Sequence, residues 1–193
     1  MLQPAKNYYT PQEYLRLEQR ADYKSEYLDG EIYALAGGSP AHNQIAVNLT
    51  IDLGLAFRGK PCRVLNSDTK IAVDVKRYYT YPDLSVVCGP LEFVPEHNDT
   101  ITNPLIIIEV LSPSTRNYDR GLKFERYRSI PTLQAYLVVD SERVFIEYYR
   151  KVEHDNWLLE TLTTIEAVLR LEAIAVEVPL NSIYDKVDFS ISD

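Results

Sequence analysis

Two carboxylates in this chain occupy positions that ask for a chemical explanation. Asp83 follows Pro82 at the head of the run Leu84-Ser85-Val86-Val87-Cys88, and Glu109 interrupts Leu105 to Leu111, where every other residue is aliphatic. An ionised carboxylate in so apolar a strand is costly unless it is paired or bound to a metal. Two acids delivered by neighbouring strands suit Mg²⁺, which prefers oxygen ligands and keeps several waters. A cation held there could activate a water and neutralise charge on a phosphoryl group in transit. The plainer alternative is an ion pair, for instance Glu109 with Arg116, and Pro-Asp is also a common turn dipeptide.

The elements that must position these acids can be read along the chain. Thr10-Pro11-Gln12-Glu13 has the capping-box pattern, so a short helix follows with Tyr14 and Leu17 on one face. Tyr23 to Leu28 and Glu31 to Leu35 flank Asp29-Gly30, a two-residue hairpin signal. Gly37-Gly38-Ser39-Pro40 opens a second helix, Ala41 to about Arg58, apolar on most sides and therefore expected to be central and buried. Strands follow at Arg63 to Asn66, Lys70 to Val75, Asp83 to Cys88 and Leu105 to Leu111. In the second of these, Ile71, Val73 and Val75 alternate with Lys70, Ala72 and Asp74, which predicts the first three for the core. Gly89 to Pro104 reads as a polar loop, and a helix is predicted from about Tyr118 to Arg128, ending before Pro131. Ala135 to Asp140, Arg143 to Tyr149, Trp157 to Leu162 and the stretch from Leu169 are further strands, with a turn of helix near Ile183. With no repeat or linker in sight, residues 1–193 read as a single α/β domain.

Composition bounds the partners. A 46% apolar and 25% charged chain is globular. Its net charge of −8 does not by itself suggest nucleic acid, because affinity for phosphate backbones comes from Lys and Arg. Cys62 and Cys88 alone imply no disulfide framework, and Met1 to Lys6 carries no long apolar stretch, so the cytoplasm is the expected location. No apolar run approaches the roughly 20 residues that cross a bilayer, so no membrane partner is expected.

Longer segments resemble a known family. Tyr81-Pro82-Asp83-Leu84-Ser85-Val86-Val87, Ile107-Ile108-Glu109-Val110-Leu111-Ser112-Pro113-Ser114-Thr115-Arg116, and Tyr118-Asp119 through Lys123 to Tyr127 are similar to the Uma family. Asp29-Gly30-Glu31-Ile32-Tyr33, Ala36 to Asn43, and Pro179-Leu180 through Ile183-Tyr184 extend the likeness over nearly the whole chain. The family comprises candidate restriction endonucleases abundant in cyanobacteria, grouped with the PD-(D/E)XK nucleases. The resemblance implies a restriction-endonuclease-like α-β-β-β-α-β core, a mixed central sheet flanked by helices, with extra N- and C-terminal strands. It implies an endonuclease hydrolysing phosphodiester bonds of nucleic acid, DNA above all, with Mg²⁺, or Mn²⁺ in its place. Asp83 and Glu109, 26 positions apart, correspond to the metal-binding acids, and the Val110 carbonyl to a third ligand. The lysine expected two residues after the glutamate is replaced by Leu111; the resemblance supplies it from the following helix as Lys123, with Lys70 as rival.

Lys123 and Tyr127 share a helix face at i, i+4, so that face could turn toward the acids. Glu31 is a candidate further acid by resemblance, although a glutamate after a tight turn is ordinarily exposed. His42 and Asn43 could contact phosphate or serve only structure. Ser112 and Ser114 lack a nearby histidine and a Gly-x-Ser-x-Gly elbow, which argues against a serine nucleophile. Tyr78-Tyr79 and Tyr148-Tyr149 could stack on bases but are explained by half-buried strands. Two functions remain: a metal-dependent nuclease, acting as a homodimer if both strands are to be cut together, or a catalytically inactive interaction or regulatory module on the same fold.

Overall fold

The computed structural model describes residues 8–113 and 115–190, and for His154 the backbone alone. The readings of Met1 to Lys6 and of Ser114 lie outside the described residues.

Helix α1, Pro11–Glu18, starts on the predicted capping box: the Thr10 hydroxyl accepts from Glu13 N, and the Glu13 carboxylate accepts from Thr10 N at 2.7 Å. Its buried face is Tyr14 and Leu15 rather than Tyr14 and Leu17, because the helix meets the sheet on that side. β1, Ser25–Leu28, and β2, Glu31–Ala34, form the hairpin across Asp29 and Gly30, both at positive φ as a primed turn requires. α2, Pro40–Ala56, is capped by Ser39.

The strands then divide between two sheets. β3, Cys62–Asn66, β6, Leu84–Cys88, and β9, Ile106–Leu111, pair antiparallel in that order. After helix α3, residues 116–127, comes β10, Ala135–Asp140, parallel to β9, and then β11, Ile146–Lys151, and β12, Trp157–Leu162, antiparallel. Helix, three antiparallel strands, helix, parallel strand: this is the α-β-β-β-α-β core expected from the sequence. A second mixed sheet, in the order β2-β1-β5-β4-β8-β7, is built from the N-terminal hairpin and three insertions: β4, Lys70–Asp74, β5, Tyr78–Thr80, and the hairpin β7–β8, Phe93–Val94 and His97–Ile101. Neither β5 nor the β7–β8 hairpin was predicted; the latter lies in the segment read as a loop. A C-terminal hairpin, β13, Val168–Leu171, and β14, Val176–Pro179, leads to a helical turn at Leu180–Ile183.

The main sheet is covered on both faces, which is why its strands lack alternation. Ile106, Ile108 and Val110 pack with Ile45, Leu49 and Leu53 of α2, while Ile107 and Leu111 pack on the other side with Tyr127 and Tyr136. Glu109, between Val110 and Ile108, belongs to that second side. α2 departs from expectation: only one face is buried, and Val47, Ile51 and Leu55 are 52, 53 and 54% exposed. β4 departs too. Lys70 and Ala72 are buried and Val75 is exposed, because the strand lies inside the second sheet with cover on both sides at its start. Finally, register sets Cys62 opposite Cys88 on β3 and β6, and the two form a disulfide, which their spacing had not implied. No helix among the described residues is long and apolar enough to cross a membrane.

Candidate active site

The pairing of β6 with β9 explains the spacing of the two acids. Leu84 lies opposite Ile108 in an antiparallel register. One residue further along, just before β6 begins, Asp83 therefore comes opposite Glu109. The two are tied through the main chain: Asp83 Oδ2 accepts from Val110 N at 2.7 Å, and Asp83 N donates to Glu109 Oε2 at 3.4 Å. Val110 thus enters the cluster through its N–H. His42, in the first turn of α2, reaches the same Asp83 oxygen through Nε2 at 3.1 Å. A Cβ on Gly38 would lie 2.4 Å from His42 Nδ1, so the bare glycine is what lets the ring lie there.

The third element is α3, a helix in three pieces: Arg116–Tyr118, a π-turn Asp119–Lys123, and Phe124–Tyr127. π-turns inside α-helices recur at functional sites. The predicted face is used as expected. Glu109 Oε1 accepts from Lys123 Nζ at 2.9 Å and from Tyr127 OH at 2.8 Å. Asp119, one turn back, pairs with Lys123 at 3.1 Å. Arg116 does not pair with Glu109; it engages Asp140 at 3.1 Å and Glu142 at 2.5 Å.

These charges sit out of water and perturb one another. Burial pushes the Glu109 carboxyl up to about 8; Lys123 pulls against that, while Asp119 and Asp83 add to it. For Lys123 burial opposes the charged form, but Glu109, Asp119 and Glu26 outweigh it and hold the ammonium well above its ordinary value. The two directions have different leading causes: burial disfavours the charged form of Glu109, with Asp119 and Asp83 adding to it, whereas for Lys123 the surrounding carboxylates outweigh burial and hold the proton. Burial and the nearby Glu109 keep the Tyr127 phenol protonated, as a donor to that carboxylate must be. Burial works against a charged His42, yet the hydrogen bond and charge of Asp83 raise it.

Two predicted residues fall elsewhere. Glu31, on β2, accepts from Tyr33 OH, and among the described residues it shares no hydrogen bond with the cluster. Lys70, only 1% exposed, pairs with Asp99 at 3.3 Å and faces the rings of Tyr14 and Tyr81, so it is no rival to Lys123 in this network. Asp119 and Glu26 were missed. Asp119 had a signal, its i, i+4 spacing to Lys123; Glu26 had none. Glu26, on β1, is buried and accepts from Thr80 Oγ1 at 2.8 Å and from the Tyr118 hydroxyl.

The donor set fits a hard cation in a restricted way. Among the described residues no three His, Cys, Asp or Glu side chains are placed to hold a metal ion. Asp83 Oδ2 and Glu109 Oε1 are each engaged by two strong donors, while Glu109 Oε2 has only the 3.4 Å contact. A cation would therefore rest on the remaining carboxylate oxygens, main-chain oxygen and water, a coordination that Mg²⁺ accepts.

Comparison with known proteins agrees with this architecture. The family profile Uma2, described as "Putative restriction endonuclease", matches residues 11–181. Two Synechocystis proteins are similar along most of their length: uncharacterized protein slr1290, 40% identical over 180 residues (93% of each chain), and uncharacterized protein sll1609, 38% identical over 153 residues (79% of this chain, 86% of the other). A crystal structure from Anabaena variabilis, described as "a putative nuclease belonging to DUF820", superimposes with a TM-score of 0.73 at 18% identity, over 91% of this chain and 97% of that one. The chain belongs to the Uma2 family of candidate restriction endonucleases and carries a nuclease-type fold.

Proposed function

We propose that the protein is a Mg²⁺-dependent endonuclease that hydrolyses phosphodiester bonds of DNA. The observation that carries the reading is the Asp83–Glu109 pair at adjoining strand ends, with Lys123 Nζ 2.9 Å from Glu109. Asp83, Glu109 and the Val110 carbonyl would hold the cation, with Mn²⁺ able to replace Mg²⁺. Bound there, the metal supplies neutralisation of phosphoryl charge and a more acidic water.

The chain's own groups do the rest. His42 and the Val110 amide hold one oxygen of Asp83, so that carboxylate is oriented before any ligand arrives. Lys123, whose proton its carboxylate neighbours hold, serves as a cation that stabilises developing charge rather than as a base. Tyr127 fixes Glu109 from the same oxygen. Glu31 is assigned no step. With a net charge of −8, contact with the nucleic-acid backbone must come from local Lys and Arg. We further propose a homodimer, since one compact site cuts one strand at a time, working in the cytoplasm. A reducing compartment would hold Cys62 and Cys88 as thiols.

Supercoiled plasmid and single-stranded DNA, incubated with Mg²⁺, with Mn²⁺ and with chelator, test the reading. Metal-dependent cleavage is expected, abolished in Asp83→Ala and Glu109→Ala and lowered about a hundredfold in Lys123→Met, the scale of losing one charge-stabilising donor. No cleavage with either metal would leave the inactive interaction module as the better description, and cleavage that survives Asp83→Ala would mean that this cluster does not carry the reaction.

A further inference from the structure

The nuclease reading uses Asp83, Glu109 and Lys123, and leaves the buried acid Glu26 without a task. Glu26 is 4% exposed and belongs to the second sheet, not to the sheet that carries the other two. A buried carboxylate needs compensating donors. It has two: Thr80 Oγ1, from the neighbouring β5, at 2.8 Å, and the hydroxyl of Tyr118. Tyr118 is the last residue before the π-turn of α3, and its ring lies 5.8 Å from Lys123 Nζ. The Tyr118 hydroxyl also lies 3.5 Å from that of Tyr78, another β5 residue.

These contacts form one chain of support. Thr80 holds Glu26, and Glu26 holds the Tyr118 hydroxyl; the Tyr118 ring walls the Lys123 ammonium; Lys123 meets Glu109. α3 is therefore held at both sides, by Glu109 on the main sheet and by Glu26 on the second. The irregular π-turn lies between the two attachments. A π-turn gains nothing from backbone regularity and persists where its surroundings fix it.

We infer that Glu26 is a positioning residue of the nuclease site: through Tyr118 it fixes the π-turn that delivers Lys123 to Glu109, which makes the second sheet part of the active site. The inference rests on the nuclease reading for the role of Lys123. The clamp itself is a statement about α3 that stands apart from activity.

Amide hydrogen exchange on the full chain tests it. Glu26→Ala is expected to speed exchange at residues 119–123 by about tenfold or more, the scale of a lost hydrogen bond to a charged acceptor, with β9 and β10 unchanged. Tyr118→Phe, which keeps the ring and removes the hydroxyl, should show the same local pattern. Glu26→Gln, which retains one oxygen acceptor, should speed exchange at these residues less than Glu26→Ala does. In the plasmid assay Glu26→Ala should lower kcat with KM and Mn²⁺ affinity unchanged, because Asp83 and Glu109 are untouched. Exchange unchanged at 119–123, or accelerated equally in β9 and β10, would overturn the clamp and leave Glu26 a plain structural acid. A wild-type chain that cuts no DNA would remove the nuclease reading, and the exchange result would still decide whether the clamp exists.

Discussion

Glu109 illustrates how one buried side chain can be read as both a liability and a tool. Burial pushes its carboxyl up to about 8 from an ordinary 4.5, so without a cation it carries a proton near neutrality. A group whose folded value is raised contributes stability that is complete below the unfolded value and is lost as pH rises through the folded one. The window here runs from about 4.5 to about 8. Glu109→Gln is neutral throughout and has no such slope. In denaturant melts with chelator, the variant should therefore gain on wild type steadily between pH 4.5 and 8. Added Mg²⁺ should reverse the trend for wild type alone, since binding the carboxylate displaces its proton. A constant difference across that range would mean that Glu109 is ionised in the fold at every pH tested.

At the scale of elements, α2 and α3 show where sequence reading succeeds and where it stops. The face of α3 was legible because Lys123 and Tyr127 at i, i+4 must lie together on any helix, and both meet Glu109. Glu109 itself was legible because a charge in an aliphatic strand contradicts its surroundings. Glu26 was not. In Ser25-Glu26-Tyr27-Leu28 nothing in its neighbours marks it as buried, and the Tyr118 hydroxyl that meets it lies some ninety positions later. The β7–β8 hairpin hid for a similar reason: β7 is only two residues long, β8 is mostly polar, and β8 is held by long-range pairing with β4. α2 misled in the opposite sense. It reads as apolar on most sides, yet Val47, Ile51 and Leu55 form an exposed line at i, i+4, i+8. Ile51→Lys should therefore change folding stability by less than about 0.5 kcal/mol, as exposed positions do. A homodimer formed across α2 would instead fall apart, which sedimentation of wild type and variant would show. A steep loss of stability in a monomeric variant would mean that Ile51 is packed within its own chain.

For the whole molecule the consequential feature is that two sheets share one site. The main sheet supplies Asp83 and Glu109, while the second supplies Glu26 and is stapled to α1 by stacked tyrosines. Tyr14 is fully buried, lies 5.2 Å from the Tyr27 ring and 5.6 Å from the Tyr79 ring, and donates to Ser25 O at 2.7 Å. Removing such a ring leaves a cavity, and Tyr14→Ala should cost about 3–5 kcal/mol, as large aromatic truncations do. Tyr14→Phe loses only the hydrogen bond, about 1 kcal/mol. For a chain of this size each kcal/mol lowers Tm by about 2–4 °C, so thermal melts separate the two variants easily. The more telling measurement is local. If the second sheet supports the π-turn of α3, Tyr14→Ala at a temperature well below its own Tm should speed exchange at residues 119–123 as well as in β1, although Tyr14 touches neither Lys123 nor Glu109. Faster exchange confined to α1 and β1 would make the second sheet a separate annex, and the site the property of the main sheet alone.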